Sequence, residues 1–216
     1  MSVLVIDDHQ LVTASLVMAL RAHSLDAHRC PVFDVEGVLD EADKHTAGLA
    51  LVDLELGEGA DGRQMDGADL VVPLCRAGWS VVVVSGSTQQ ERVAAAIAAG
   101  ANGWVPKSES FDDLLNAVLA AVEGKALLSQ EQRKQWLALH REASKRSADI
   151  HGRLARLSNR ESEVLERLAQ GQRAATIAEE FFVSLATVRT QIRSILTKLD
   201  VGSQLEAVAL HQDARR

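Results

Sequence analysis

Three carboxylates, a hydroxyl and an amine stand just beyond short apolar runs in the first half of this 216-residue chain. Asp7 and Asp8 follow Val3-Leu4-Val5-Ile6, Asp53 follows Leu49 to Val52, Ser85 follows the four valines 81 to 84, and Lys107 comes after Gly103-Trp104-Val105-Pro106. If each run is a strand of one open parallel sheet, these side chains gather beyond the carboxyl ends of the strands, where such sheets bind ligands. Three converging carboxylates repel one another, so the cluster calls for a cation. Oxygen ligands alone favour Mg²⁺ or Mn²⁺ over zinc. A lysine opposite them binds an anion as a point charge, and a hydroxyl between adds one hydrogen bond. Cation, carboxylate, lysine and hydroxyl around one void make a site for a phosphoryl group, with a carboxylate as its acceptor.

A second constellation lies further along. No acid occurs from Ser184 to Leu199, whereas Arg189, Arg193 and Lys198 are basic. Val188, Ile192, Ile195 and Leu199 recur with helical spacing and must face a core, which leaves Arg189, Thr190, Arg193 and Thr197 on the other side. Ser184 is an N-cap residue, so the positive end of the helix opens outward there. A helix with that face fits the major groove of double-stranded DNA, where arginine reads guanine edges and hydroxyls or a glutamine such as Gln191 hold phosphates.

The elements that must position these groups follow from the periodicity. Strand signals at Val3 to Ile6, Ala27 to Cys30, Leu49 to Val52, Val81 to Val84 and Gly103 to Val105 alternate with helical ones. Helices are expected after Asp8, from Asp34, over Ala68 to Arg76 despite Pro73, from the capping box Thr88-Gln89-Gln90-Glu91 to Gly100, and from Ser110 to near Gly124. Five such units in series predict a doubly wound α/β fold with a five-stranded parallel sheet and helices on both faces. Residues 125–156 read as a linker, helical from Ser129 with Trp136, Leu139 and Ala143 on one face, and looser from Ser144 to Gly152. From Leu157 onward four short helices are expected, with capping signals at Ser158, Ser184 and Ser203 and a stop at Gly171, forming a small all-α domain.

Composition agrees with a globular protein, at 47% hydrophobic and 25% charged residues. No apolar stretch approaches the ~18 residues of a membrane span, and the first residues lack the basic leader of a signal peptide. Cys30 and Cys75 show no zinc or disulfide spacing, which suits reduced thiols in a cytoplasmic protein. The net charge of −7 is uneven. Residues 1–124 carry 7 Lys and Arg against 19 Asp and Glu, residues 125–150 carry 6 against 3, and residues 151–216 carry 10 against 8. An acidic first part joined to a mildly basic second part fits a cation site in one and a polyanion site in the other.

Taken together and in order, Val5-Ile6-Asp7-Asp8-His9, Val52-Asp53-Leu54, Val84-Ser85-Gly86 and Ala99-Gly100-Ala101-Asn102-Gly103-Trp104-Val105-Pro106-Lys107 resemble the receiver domain of two-component response regulators. Leu157-Ser158-Asn159-Arg160-Glu161, Ile177-Ala178-Glu179, Ser184, Thr187-Val188-Arg189 and Lys198-Leu199 resemble the LuxR-type helix-turn-helix. A receiver followed by this module is similar to the NarL/FixJ group of transcription regulators. The resemblance implies a flavodoxin-like receiver over residues 1–124, the linker 125–156 and a DNA-binding domain over 157–216. It implies Asp53 as phospho-acceptor from a sensor histidine kinase, Asp7, Asp8 and Asp53 as Mg²⁺ ligands, Ser85 and Lys107 as phosphoryl contacts, and Trp104 as the aromatic switch residue. It places Ser184, Thr187, Arg189, Thr190, Gln191, Arg193 and Lys198 at the DNA, and implies a homodimer on activation.

The sequence departs from the pattern in places. Met65-Asp66-Gly67 is delayed by an inserted, acidic, Gly-rich stretch, Gly57 to Gln64, which reads as a solvated, mobile loop and lacks the spacing of a calcium loop. Ser108 stands where many receivers have proline. Gln191 and Gln204 stand where His and Arg are common. Two other readings remain open. One is a Mg²⁺-dependent phosphohydrolase with an aspartyl-phosphate intermediate, for which Glu55 would be the second acid. The other is a receiver-type regulator controlled without phosphate.

Overall fold

A computed structural model of the chain describes residues 1–31, 34–59, 62, 64–86 and 90–215. The chain divides into two compact units, Met1–Arg141 and Glu142–Arg216, and the division falls inside the expected linker.

In the first unit the elements run β1 Ser2–Ile6, α1 Gln10–Ala22, β2 Asp26–Cys30, α2 Val35–Ala42, β3 Leu49–Asp53, β4 Glu55–Glu58, β5 Gln64–Asp66, α3 Ala68–Arg76, β6 Ser80–Ser85, α4 Gln90–Ala98, β7 Gly103–Pro106 and α5 Phe111–Val122. Five strands form one parallel sheet in the order β2-β1-β3-β6-β7. The order reverses between β1 and β3, so the crevice for a ligand opens at the carboxyl ends of these two strands, where Asp7 and Asp53 stand.

Strands β1 and β3 are buried along their whole length. A parallel strand covered on both faces must be apolar at every position, which is why these runs lack alternation. Leu4, Ile6, Ala50, Val52, Val81 and Val83 pack with α2, α3 and α4, whereas Val3, Val5, Leu49, Leu51 and Val82 face α1 and α5. Helix α3 continues through Pro73 to Arg76. Asp34 and Ser110 cap α2 and α5 as expected, each accepting from a backbone amide three residues on. The capping box at Thr88 and Gln89 lies outside the described residues.

Two expectations need correction. Glu55–Glu58 and Gln64–Asp66 form an antiparallel pair, so the ends of the inserted stretch are strands, while Ala60, Asp61 and Arg63 between them lie outside the described residues. The pair's two apolar residues, Leu56 and Met65, are buried in the core, so the insertion is anchored by their burial. In the linker, α6 runs unbroken over Gln130–Leu154, so Ser144 to Gly152 is helical. Local pairs such as Arg153 with Asp149 at 2.8 Å and His151 with the Ser147 carbonyl at 2.8 Å support its second half.

The second unit adds α7 Asn159–Ala169, α8 Ala174–Glu180, α9 Leu185–Leu199 and α10 Gln204–Asp213. Val164, Leu165, Leu168, Ile177, Val188, Ile195 and Leu199 form its core, with Leu154 packed against it. Ser158 and Glu161 close a reciprocal capping box at the start of α7. Both cysteines are free thiols. Among the described residues no helix is long and apolar enough to cross a membrane.

Candidate functional site

The parallel register brings together the groups that end the strands. Asp53, the last residue of β3, and Asp7, just after β1, are buried, whereas Asp8 and His9 are exposed above them. Ligand atoms of Asp7, Asp8, His9 and Asp53 lie within 4.8 Å of one another. His9 was not singled out from the sequence. Its Nδ1 is 3.0 Å from Asp7 Oδ1 and 2.8 Å from Asp8 Oδ1, and its backbone amide donates to Asp7 at 2.7 Å.

Lys107 approaches from β7. Its Nζ donates to Asp53 Oδ2 at 2.5 Å and lies 3.6 Å from Asp7 Oδ2. Its backbone amide donates to the Ser85 carbonyl at 2.8 Å, which ties the ends of β6 and β7 together beside the acids. Ser85 is buried at the end of β6, one position beyond Val84, the register partner of Asp53. Burial raises the pKa of Asp53 above the ordinary carboxylate value and Asp7 adds to this, against the opposing pull of Lys107 and the Glu55 amide. Burial draws the Lys107 ammonium down, but Asp53, Asp7 and Asp8 together lift it above its usual value. One lysine thus faces three carboxylates, and the site keeps a net demand for positive charge.

The hairpin closes one side. The Glu55 amide donates to Asp53 Oδ1 at 3.0 Å, while the Glu55 side chain is exposed. Gly57, at φ +70°, sits so close that a Cβ there would lie 2.8 Å from Asp8 Oδ2. Arg92 of α4 holds the hairpin in place, donating to both oxygens of Asp66 at 2.6 and 3.2 Å and to the Leu54 carbonyl. Neither contact has a sequence signature, because hairpin and helix are joined only in space. Trp104 is half-buried on β7, three residues before Lys107, and packs edge to face on Trp136. The donor set fits a divalent cation: three carboxylates and an imidazole converge, and two of the acids are buried.

In the second unit Ser184 caps α9, accepting from the Thr187 amide at 3.1 Å. Thr187, Arg189, Thr190 and Arg193 are exposed, and neither arginine has an ion-pair partner among the described residues. Val188, Ile195 and Leu199 face the core. Two positions differ from a freely exposed basic face. Lys198 donates to Glu161 Oε2 at 2.6 Å, so its charge is already matched within the unit. Gln191 is half-buried, with a buried Oε1 that finds no partner among the described residues. Burial would raise Glu161, but hydrogen bonds from Lys198, Ser194 and the Ser158 amide outweigh it and bring its pKa to about 2.

Comparison with known proteins agrees in both parts. Residues 3–119 match the response regulator receiver domain, and residues 155–211 match the bacterial regulatory proteins of the luxR family. The chain is 28% identical to the transcriptional regulatory protein LiaR of Bacillus subtilis, over 95% of this chain and 93% of that protein. It is 29% identical to the nitrate/nitrite response regulator protein NarP of Escherichia coli, over 99% and 95%. It is 30% identical to a probable transcriptional regulatory protein NarL of Mycobacterium tuberculosis, over 96% and 91%. Among solved structures, the RcsB response regulator of Salmonella typhimurium shares the fold, with a TM-score of 0.53 at 23% identity over 98% of this chain and 99% of that one. With a receiver domain over more than half its length and a luxR-family domain after it, the chain belongs to the response regulators, in the group whose members regulate transcription through a LuxR-type DNA-binding domain.

Proposed function

We propose that Asp53 accepts a phosphoryl group from a sensor histidine kinase and that the phosphorylated chain acts on DNA as a homodimer. The observation that carries this reading is the position of Asp53: it is buried at the carboxyl end of β3, in contact with Lys107 and within the acidic cluster. Asp7, Asp8 and Asp53 would hold Mg²⁺, with His9 beside them. The ion would supply charge to offset that of the incoming phosphoryl oxygens. Lys107 would meet one such oxygen, and Ser85, whose carbonyl accepts from the Lys107 amide, would give a hydroxyl. Asp53 Oδ2 attacks phosphorus and the donor leaves, so each transfer converts one carboxylate to one acyl phosphate. The chain is a stoichiometric switch in this reading, not an enzyme for a diffusible substrate, and it works in the cytoplasm.

At the DNA, Arg189, Arg193 and Thr190 would face base edges, and Ser184 and Thr187 the phosphates at the start of α9. Gln191 and Lys198 stand further from this role, since one is half-buried and the other is paired with Glu161. The reading is tested by gel shift against the DNA upstream of the protein's own coding region, with and without a small phosphodonor and Mg²⁺. Tighter binding in the phosphodonor lane, absent in Asp53→Asn, supports it; equal binding in all lanes overturns it.

A further inference from the structure

Strand β7 is an edge of the parallel sheet, and an exposed sheet edge has to be covered or paired. Here the chain covers the region itself, with the residues just before α6 and the first turns of that helix. Arg133 donates to the carbonyls of Ala101 and Asn102 at 3.0 and 3.2 Å, just ahead of β7. Leu127 lies so close to Gly103 that a Cβ there would come within 2.6 Å of it. Trp136 meets Trp104 edge to face, with ring centroids 5.3 Å apart and planes at 72°.

This cap is built to be removable. No residue of α6 is fully buried, so its hold rests on half-buried contacts. Trp104 Nε1 is buried without a partner among the described residues, which costs free energy in the docked arrangement. A cleft of about 470 Å³ opens beside the indole, lined by Gln90, Pro106, Glu109, Gln132 and Trp136. It offers room for the ring to shift.

The cap is also wired to the acidic site. Trp104 lies on β7, three residues before Lys107, which follows the strand directly, and Lys107 is bonded to Asp53 through its ammonium and to Ser85 through its amide. A phosphoryl group on Asp53 would insert between Asp53 and Lys107 and move the end of β7 with it. We infer that the first turns of α6 are an intramolecular cap governed by Asp53, docked on Trp104 through Trp136 and Arg133 in the unmodified chain and released when Asp53 is phosphorylated. This rests on the reading of Asp53 as the acceptor. Helix α6 continues from these turns to Leu154, which packs against the core of the second unit.

The test is hydrogen exchange on the full-length protein in Mg²⁺, with and without beryllium fluoride as a stable phosphoryl mimic, while fluorine NMR reports whether the mimic is bound. Amides 130–141 should be protected in the free protein and exchange at least about tenfold faster when the mimic is bound, with α1 unchanged. Trp136→Ala should speed their exchange without the mimic and remove the further response to it, whereas Trp136→Phe should keep both protection and response. Bound mimic with unchanged exchange at 130–141 overturns the cap and leaves the acceptor reading standing. Absence of any bound mimic overturns the acceptor reading and the cap with it. Unaltered protection in Trp136→Ala overturns the role given to the indole pair.

Discussion

Lys107 Nζ and Asp53 Oδ2 lie 2.5 Å apart at the mouth of the β1–β3 crevice, with Asp7 3.6 Å from the same ammonium. Sheet order creates this relationship: β3 is central and β7 is the edge, so Lys107 must reach across the end of β6 to meet the acid. The pair leaves Asp8 unmatched by lysine and Asp53 buried beside a second carboxylate. The site is therefore held at an electrostatic cost that a cation or a neutral side chain relieves.

Asp53→Asn should follow that cost. The buried carboxylate has its pKa raised in the fold, so its ionised form opposes folding near neutral pH. In buffer without divalent ions the variant should be more stable than the parent. Added Mg²⁺ should raise the melting temperature of the parent more than that of the variant, because one ligand has been lost. Thermal melts with and without Mg²⁺ check both parts.

Asp8→Ala should lose Mg²⁺ affinity and phosphorylation together while keeping the fold, because Asp8 is exposed and contributes little packing. Titration calorimetry with Mg²⁺ and uptake of label from a small phosphodonor are the measurements. Normal labelling of this variant in chelator would remove the metal from the account.

Arg92→Ala should loosen the β4–β5 hairpin. The side chains of Arg92 and Asp66 are partly exposed, so the ion pair itself counts for little, but the Leu54 carbonyl also loses a donor. A loss of about 1 kcal/mol in denaturant unfolding is expected, with faster exchange of amides 55–58 and 64–66. Unchanged exchange there would show that burial of Leu56 and Met65 alone holds the hairpin.

Much of this arrangement is legible in the sequence because parallel strands buried on both faces are apolar without interruption, and four of them end in a polar residue. The hairpin escapes that logic. It has one buried apolar residue per strand in an acidic, Gly-rich stretch, too few to show a period of two. The second half of α6 looks irregular because it has no apolar stripe, and its local pairs carry no hydrophobic signal. Lys198 is the instructive residue in the second unit. Helical spacing puts it among the basic residues of α9, but its partner Glu161 is on α7, and no periodicity within one helix reports a pairing between helices.

Glu161 should make the second unit acid-sensitive in a defined window. Its pKa falls from 4.5 to about 2 in the fold, so it contributes stability above about pH 4.5 that is lost as pH falls toward 2. Glu161→Ala removes the capping carboxylate and the acceptor of Ser194 and of the half-exposed Lys198, which should cost about 1–2 kcal/mol at neutral pH. The acid-dependent loss between those pH values should shrink in the variant. Chemical denaturation from pH 2 to 7 is the check.

Arg189→Ala should weaken specific DNA binding by about 1–3 kcal/mol and relax preference at one base pair, if that arginine is bidentate to guanine. Lys198→Ala should cost stability more than it changes the salt dependence of binding, because its charge is already matched. Insertion of ~5 bp between half-sites rotates one to the opposite face of the duplex and should abolish dimeric binding. Binding isotherms on the altered sites, across salt, separate the three expectations.

The central claim is that Asp53 carries the phosphoryl group. It is tested most directly by treating the full-length protein with a small phosphodonor and Mg²⁺, trapping acyl phosphate by borohydride reduction, and locating the reduced residue by peptide mass spectrometry. The account predicts reduction to homoserine at position 53 alone, lost when Mg²⁺ is chelated. Reduction at another acid, or none under conditions in which the donor is consumed, would contradict it.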